Sequence, residues 1–577
     1  MRTWSRRRRV ITLAAVVVVV WGAVAAFLLA AAALSLANGS DALSSARSQA
    51  TVAALTSPSS TEQLDDAQAD FDAAKAKLHS PLVAPTKVIP ILGRQVRAMD
   101  RLATTGSEGT SAASAALSDV RTLSEGSRAG GPERVAMLRD LAEVAGTLHA
   151  QLEDLDPGSA NGLVGPLADA VTEAAEGRHD AVRGAVRLED ASAGLADLFQ
   201  GPHSYLLVGA NNAEMRAGSG MFLSASELRF EDGKATLGEV RPTADLVLPA
   251  GTVTAAGDLE ANWGWLDPGR DLRQLGVSPD FPQSAATAVK TWAAIPGNHP
   301  VDGVIVIDVD GMRSLLRAVG PVEVGGVTYT ADNVREQLLR DQYRRYEDDR
   351  DERRDVLGDV AKVIFERIEA GEWELSSLAT QLTDATAARH LMVWSTDDPL
   401  QSTWSDLDAD GHLRDGSLAV NLLNRSASKL DSWVETTADV TTERQANGTT
   451  ALTVTYTITN TSKGEGSRYV VGPNVEGLEA GGYRGLVVAN LPAGTKDAEL
   501  EGAKVFLQGG DGPTAVTAGE VTVAAGETAK VVITAVLPEG LDHLTIEPSA
   551  RIPRTRWTVD GHELERERRT TVPLPSS

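Results

Sequence analysis

Between residues 61 and 78 the stretch TEQLDDAQADFDAAKAKL repeats Leu64, Phe71 and Leu78 at intervals of seven, with Ala67 and Ala74 between them. That spacing predicts a helix with one narrow apolar seam on an otherwise charged surface. Pro81, Pro85 and Pro90 then interrupt it, because proline lacks an amide donor and clashes with the preceding turn. Helical periodicity resumes over residues 91–123, 132–155 and 163–198, separated or interrupted by the small-residue clusters TTGSEGTSAAS and DPGSANG. Residues 41–200 therefore read as a helical stalk or bundle. A partner-binding coiled coil would need sustained heptads, which this stretch does not show.

The texture changes at Gly201-Pro202. SYLLVGA and VDGVIVIDV read as buried strands, and SASELRF with ATLGEV as a hairpin around EDGK. Met312, Leu315, Leu316 and Val319 predict a helix over 309–319, a second helix starts near Thr330, and a third covers about 350–368. Mixed strands and helices predict an α/β domain over 201–429. From residue 430 to 577 the strict alternation of ALTVTYTITN and a series of short strands broken by Gly, Pro and Asn predict a β-sandwich of immunoglobulin-like size.

The N-terminus carries a different signal. Arg2 and Arg6 to Arg9 precede a run from Val10 to Ala37 without one ionisable side chain. The run exceeds the roughly 20 apolar residues that cross a bilayer. It is also longer than the roughly 7 to 15 residues of a cleavable signal core, although the small residues of LLAAAALSLANGS would suit a signal peptidase. The expectation is an uncleaved transmembrane helix over 10–37. Basic residues stay on the cytoplasmic side, so residues 1–9 form a cytoplasmic tail and 41–577 lie outside, as a single-pass protein of the cell membrane.

Composition narrows the chemistry. At 577 residues the chain exceeds one hydrophobic core. It has no cysteine, so disulfides, thiolate nucleophiles and sulfur-ligated zinc are excluded. Its nine histidines form no metal-binding pair at helical spacing. A net charge of -25, carried by the part beyond the basic tail, argues against nucleic acid and suits a soluble surface among divalent cations. The Ala, Val, Arg, Asp and Gly bias with few lysines fits a GC-rich, actinobacteria-like genome. What remains is carboxylate and guanidinium chemistry.

Three groups could supply it. Asn211, Asn212, Glu214 and Arg216 follow the first strand, in what reads as a polar turn. Arg241 and Asp245 follow another strand. YRRYEDDRDERRDVL holds Arg344, Arg345, Arg350, Arg353 and Arg354, of which the last three extend the apolar stripe of Leu357, Val360, Ala361 and Ile364. Inward guanidinium groups need anions, and the plain alternative is that they pair with Asp348, Asp349 and Asp351. The calcium-loop-like DVDG lacks its later glutamate, and AGSG is not a nucleophile elbow.

VDGVIVIDVDGMRSLLRAVGPVEV, followed by TADNVREQLLRDQYRRYEDDRDERRDVLGDVAKVI, resembles the second half of the LytR-CpsA-Psr family. Asp310, Gly311, Leu315, Val319 and Gly320 match that family's helix motif, Glu336 and Gln337 the next one, Arg345 its Arg-rich turn, and Arg350 and Arg353 its Arg-x-x-Arg pair. NNAEMRAGSGMF is similar to the Asn-Asn-Ala-Glu-x-Arg signature of a family of uncharacterised membrane-anchored bacterial proteins, read here as a distant branch of the same fold. The two resemblances span about 201–368.

LytR-CpsA-Psr enzymes move an anionic glycopolymer from a polyprenyl pyrophosphate carrier to the cell wall. The resemblance implies Arg216, Arg241 and Arg345 as catalytic cations. It implies Arg350 and Arg353 as phosphate ligands, and Arg354 beside them, with Asn211 and Asn212 fixing the turn, completes the expected phosphate-binding set. Asp245 matches one magnesium ligand. The other falls where this chain reads RAGSG, which leaves Glu214 as the nearest substitute. The expected function is a membrane-anchored cell-envelope protein that binds a polyprenyl-linked (pyro)phosphate and transfers glycopolymer to the wall. The alternative is a non-catalytic envelope scaffold that binds glycan or protein and keeps a vestigial phosphate pocket.

Overall fold

The computed structural model describes residues 20–40, 58–126, 128–345 and 350–575. Two compact units divide the chain, Met1–Ser127 with Ala136–Ala193 and Arg128–Val135 with Gly194–Ser577.

The first unit is helical. Helix α1, Val20–Ser40, is long and apolar enough to cross a membrane. It is followed by α2, Pro58–Leu78, α3, Leu92–Ser124, α4, Pro132–Glu153, and α5, Gly165–Gln200. Leu64, Ala67, Phe71, Ala74 and Leu78, the expected seam, are all buried. Ala67, Phe71, Ala74 and Leu78 pack with Ala32 and Leu36 of α1 and with Val96, Leu102 and Ala103 of α3. Contrary to expectation, TTGSEGTSAAS does not break α3. Gly106 lies against the Phe71 ring, where a Cβ would come within 2.5 Å of it, so the small residues make room for packing.

In the second unit the first sheet runs β3-β2-β1-β5-β8, with β4 paired to β2. Its strands are β1, His203–Met215, β2, Gly220–Glu231, β3, Lys234–Leu237, β4, Arg241–Pro242, β5, Gly303–Ile307, and β8, Leu391–Ser395. β1 and β5 are parallel, Tyr205 facing Gly303 and Val208 facing Val306. Gly303 is required there, because a Cβ would meet the Tyr205 ring and the Trp394 carbonyl. Alternation along β1 decides which helix covers each face. Leu206, Val208 and Ala210 pack on Phe281, Ala285, Ala288 and Trp292 of α6, Phe281–Ala294. Leu207 and Gly209 face the opposite side, toward Gly358 and Ala361 of α8, Arg350–Glu369. Helix α7, Val309–Val319, starts as expected, with Asp308 accepting from the amides of Asp310 and Gly311.

Two further six-stranded sheets follow. After the short pair β6, Val322–Val324, and β7, Val327–Tyr329, one is ordered β14 (Lys504–Asp511), β15 (Thr514–Val523), β12 (Tyr483–Leu491), β9 (Ser417–Asn424), β17 (His543–Ile546) and β20 (Thr570–Pro573). The other is ordered β13 (Lys496–Glu501), β16 (Thr528–Leu537), β11 (Thr450–Asn460), β10 (Val434–Arg444), β18 (Arg556–Val559) and β19 (His562–Glu563). β9, Ser417–Asn424, is already a member of the first of these, so the sheets begin before residue 430. Leu423 of β9, Leu486 and Val488 of β12, and Val516 and Ala518 of β15 share one hydrophobic core with Leu206, Val208 and Trp292. The division expected at 430 is therefore internal to a single compact unit. β9 is buried along its whole length.

The C-terminal segment returns to the α/β layer. His390, buried after α9, Leu375–Ala387, lies 2.7 Å through Nδ1 from Asp308 and 3.9 Å through Nε2 from Glu567. The amide of Arg569 donates to the Ala387 carbonyl, and its guanidinium reaches Glu547 and Asp408. Burial opposes a charge on His390, but Asp308, Asp310 and Glu567 outweigh it and raise its pKa from 6.5 to about 9. Burial pushes Glu567 up to about 7 against the pull of His390.

These shifts set the sign of a pH dependence. A histidine with a raised folded pKa contributes fully below its unfolded value of 6.5 and loses that contribution as the pH rises through about 9. Glu567 favours the fold while protonated, so its contribution fades as the pH rises through about 7. The unfolding free energy of this unit is expected to fall by on the order of 3 kcal/mol between about pH 6.5 and about pH 10. Urea titrations check this. A His390→Gln variant should show a flatter profile, and a parent protein equally stable at both values would contradict the network.

Candidate functional site

The polar end of β1 is built differently from the turn expected there. The strand continues through Asn211, Asn212 and Glu214 to Met215, and the turn falls at residues 216–219. Its ladder to β2 shifts register between Gly209 and Ala210 and again between Asn211 and Met215. A bulged stretch has no cross-strand partner, so its polar groups are satisfied elsewhere.

Those partners come from distant parts of the chain. Asn211 donates from Nδ2 to the Tyr343 hydroxyl at 2.9 Å, and its Oδ1 accepts from the Ala213 amide at 2.8 Å. Asn212 is fully buried, donates to Asp308 at 2.7 Å and to the Ala550 carbonyl at 2.8 Å, and accepts from the Val309 amide. It is structural, as expected within the phosphate-binding set, but it joins a continuing strand to distant segments rather than fixing a turn. Glu214 accepts from the buried ammonium of Lys429. Burial works against that ammonium, yet Glu214 and the rings of Tyr343 and Tyr469 raise its pKa. The Lys429 ammonium lies 5.8 and 5.1 Å from those two ring centres.

Arg216 is buried, and its pKa is lowered by that burial, with the charges of Glu214 and Asp431 partly offsetting it. Its guanidinium bonds are long, 3.4 Å to the Met215 carbonyl, 3.5 Å to the Asn424 carbonyl and 3.5 Å to Oε1 of Gln274. Its Nε has no hydrogen-bond acceptor among the described residues. A buried guanidinium held only by such contacts is under-satisfied, since charged donors ordinarily bond at about 2.7 to 2.9 Å.

Beside it lies a cavity of about 360 Å³. Glu214, Lys429, Arg273, Gln274, Tyr343 and Tyr469 are in its wall, together with Asn211. Arg273 is gripped by Asp271 at 2.6 Å, which raises its pKa. The wall thus holds two paired cations, two phenols and three amides, Gln342 being the third, and Arg216 stands behind Gln274. Such a set can hold an anion by charge-assisted and neutral hydrogen bonds.

The other expected residues do not meet there. Arg241 donates to Oδ1 of Asn298 at 2.6 Å and lies 5.0 Å from the Trp292 ring centre, on the α6 face of the sheet. The helix carrying Arg350, Arg353 and Arg354 covers the other face, and those three side chains lie outside the described residues. The Arg-x-x-Arg pair expected to converge with Arg241 therefore lies outside the described residues. Arg345 is exposed and donates to Gln337 at 2.9 Å. Tyr343, two residues before it, is the part of that turn that reaches the cavity.

The magnesium expectation fits no better. Glu214 is engaged by Lys429, and Asp245 is exposed in the turn after β4. Both carboxylates act on Arg273, a cation already in place near them. Among the described residues no three His, Asp or Glu side chains gather in a way that could hold a metal. The residues present do not fit a magnesium ion.

Lys429, Arg273, Gln274, Tyr343 and Tyr469 escaped the sequence reading. Each stands in a stretch that reads as loop or helix end, and only the tertiary fold brings them beside Glu214. The nearest sequence signal was the charged pair Arg270 and Arg273 around Asp271 in GRDLRQ.

A family model described as "Protein of unknown function (DUF4012)" matches residues 200–343, which include β1, β2 and the Tyr343 side of the cavity. No curated protein and no solved structure matches the chain.

The two buried cations should answer differently to substitution. Glu214→Gln leaves Lys429 buried without its counter-charge and is expected to cost roughly 3 to 5 kcal/mol in urea unfolding. Arg216→Met removes an under-satisfied charge at similar volume and should leave stability unchanged or raise it. A large loss for Arg216→Met would show that its long bonds matter to the fold.

Proposed function

We propose that this is a membrane-anchored, extracytoplasmic protein of the cell envelope that binds the (pyro)phosphate of a polyprenyl-linked glycan in the cavity between Glu214, Arg273, Lys429 and Tyr343. The observation that carries this reading is Arg216, a buried guanidinium with only long hydrogen bonds, beside a cavity whose wall already holds two cations. An anion with several oxygens would meet donors on more than one side, which a lone chloride would not need. The resemblance of VDGVIVIDV and the segment after it to cell-wall glycopolymer transferases supports a phosphate-linked glycan as the anion's source. In this reading the first sheet with α6, α7 and α8 is the LytR-CpsA-Psr-like layer, and the two later sheets are the β-sandwich.

The membrane part rests on α1 and on the five arginines ahead of it, which favour a cytoplasmic N-terminus with the bulk of the chain outside. Binding is favoured over transfer. Transfer needs developing charge to be neutralised at the phosphate, and the carboxylates that would hold a metal are committed to Lys429 or exposed. The second reading, a non-catalytic envelope scaffold with a retained phosphate pocket, is favoured by that same observation.

The test is mass spectrometry of the purified full-length protein for co-purified polyprenyl phosphate, paired with calorimetric titration of inorganic pyrophosphate. Arg216→Lys and Arg273→Lys keep the charge but lose the planar fork, so each should weaken pyrophosphate binding by about 1 to 3 kcal/mol. Folded variants that bind as well as the parent would remove this cavity as the site.

A further inference from the structure

Helix α2 ends at Leu78, and α3 begins at Leu92. Between them SPLVAPTKVIPIL turns the chain through a short 3-10 helix, Ala84–Val88. Every strongly exposed side chain from Pro81 to Leu92 is apolar, with Val88 84% and Ile91 80% exposed. The one charge in the loop, Lys87, is tied to Asp100 at 2.8 Å. Arg94 and Arg97 are exposed just beyond it. An exposed apolar surface bounded by cations marks an interaction face rather than a loop built for water.

Its position says what the face meets. The Trp21 indole donates to the Leu82 carbonyl at 2.9 Å, so the loop lies against α1, the helix apolar enough to cross a membrane. Toward the other end of α1, Ser35 accepts from the Lys77 ammonium at 2.8 Å, which marks the aqueous side. Trp21 stands fourteen residues back, about 21 Å further along the helix axis.

Most of the loop's amides are satisfied within the loop or absent. Prolines 81, 85 and 90 have no amide hydrogen to satisfy. The amides of Val83 and Ala84 bond to the Ser80 carbonyl, and that of Leu82 to the Ser80 hydroxyl. Those of Thr86, Ile89, Leu92 and Gly93 also find acceptors inside the loop. In hydrocarbon each unmet amide would cost several kcal/mol, so internal satisfaction is the condition for entry. Ile91 holds a left-handed backbone, φ 69, which branched residues avoid and which is retained here on a side chain turned outward.

We infer that the loop of residues 81–92 inserts into the bilayer beside α1, with Leu82, Val88, Ile89 and Ile91 among the acyl chains. The first unit is then held at two points, and a single helix free to rotate becomes a fixed footing. The inference rests on reading α1 as the membrane span, and its test separates the two.

The chain has no cysteine, so single-cysteine variants report one position each. Full-length Val20→Cys, Val88→Cys, Ile91→Cys and Arg183→Cys are labelled with an environment-sensitive fluorophore and reconstituted in phosphatidylglycerol/phosphatidylethanolamine vesicles without any other protein. Labels at 88 and 91 should show blue-shifted emission, quenching by lipid-borne nitroxide and loss of reaction with a charged maleimide. The label at 183 should stay in water. If 20 is quenched by lipid while 88 and 91 remain in water, the inference is overturned and the span stands; that outcome would assign the face to a protein partner. If 20 is also in water, both readings fail.

Discussion

Asp431 and Arg551, 0% and 1% exposed, form the ion pair on which the larger unit depends. They meet at 3.0 Å, and each then satisfies the backbone around it. One oxygen of Asp431 also accepts from the Tyr483 hydroxyl of β12, and the other accepts from Asn424 of β9 and from the amide of Met215 at the end of β1. Arg551 donates to the carbonyls of Leu422 and Val434. A buried pair of this kind adds little net energy over an apolar replacement, but losing one member leaves an uncompensated charge. Its structural effect is geometric. It joins the end of β1 to β9 and β12, and so fixes the bulge that aims Glu214 at Lys429 and leaves Arg216 against Gln274.

Local patterns recovered the elements whose identity is set by their own residues. Helix α7 was legible from Met312, Leu316 and Val319 at helical spacing, because amphipathicity is a local effect, whereas its Asp308 cap was not read. The alternation of β11, Thr450–Asn460, predicted which face is buried. The α2 seam was visible for the same reason. TTGSEGTSAAS misled because glycine's low helix propensity is a local penalty, whereas its use under Phe71 is a tertiary gain.

The site was less legible, for a physical reason. Two asparagines, a carboxylate and a guanidinium after a strand suggest a turn if their partners are sought nearby. Here the partners are Tyr343, Asp308, Ala550, Lys429 and Asp431, and they let the strand continue through a bulge. Sequence could show that these groups were unusual, but not that Lys429 would reach Glu214. Arg241 was misplaced for a related reason. A guanidinium after a strand reads as an anion ligand, yet the Trp292 face and Asn298 occupy it.

The central claim is that residues 194–577 fold as one cooperative unit, because one core and the Asp431–Arg551 joint run through the α/β layer and the two later sheets. Native-state hydrogen exchange measures it most directly. The account predicts that the amides of Leu206 and Val208 in β1 and of Val487 and Val488 in β12 exchange with the same opening free energy and the same denaturant dependence. A β12 that opens at a distinctly lower free energy than β1, with its own smaller dependence on denaturant, would contradict it.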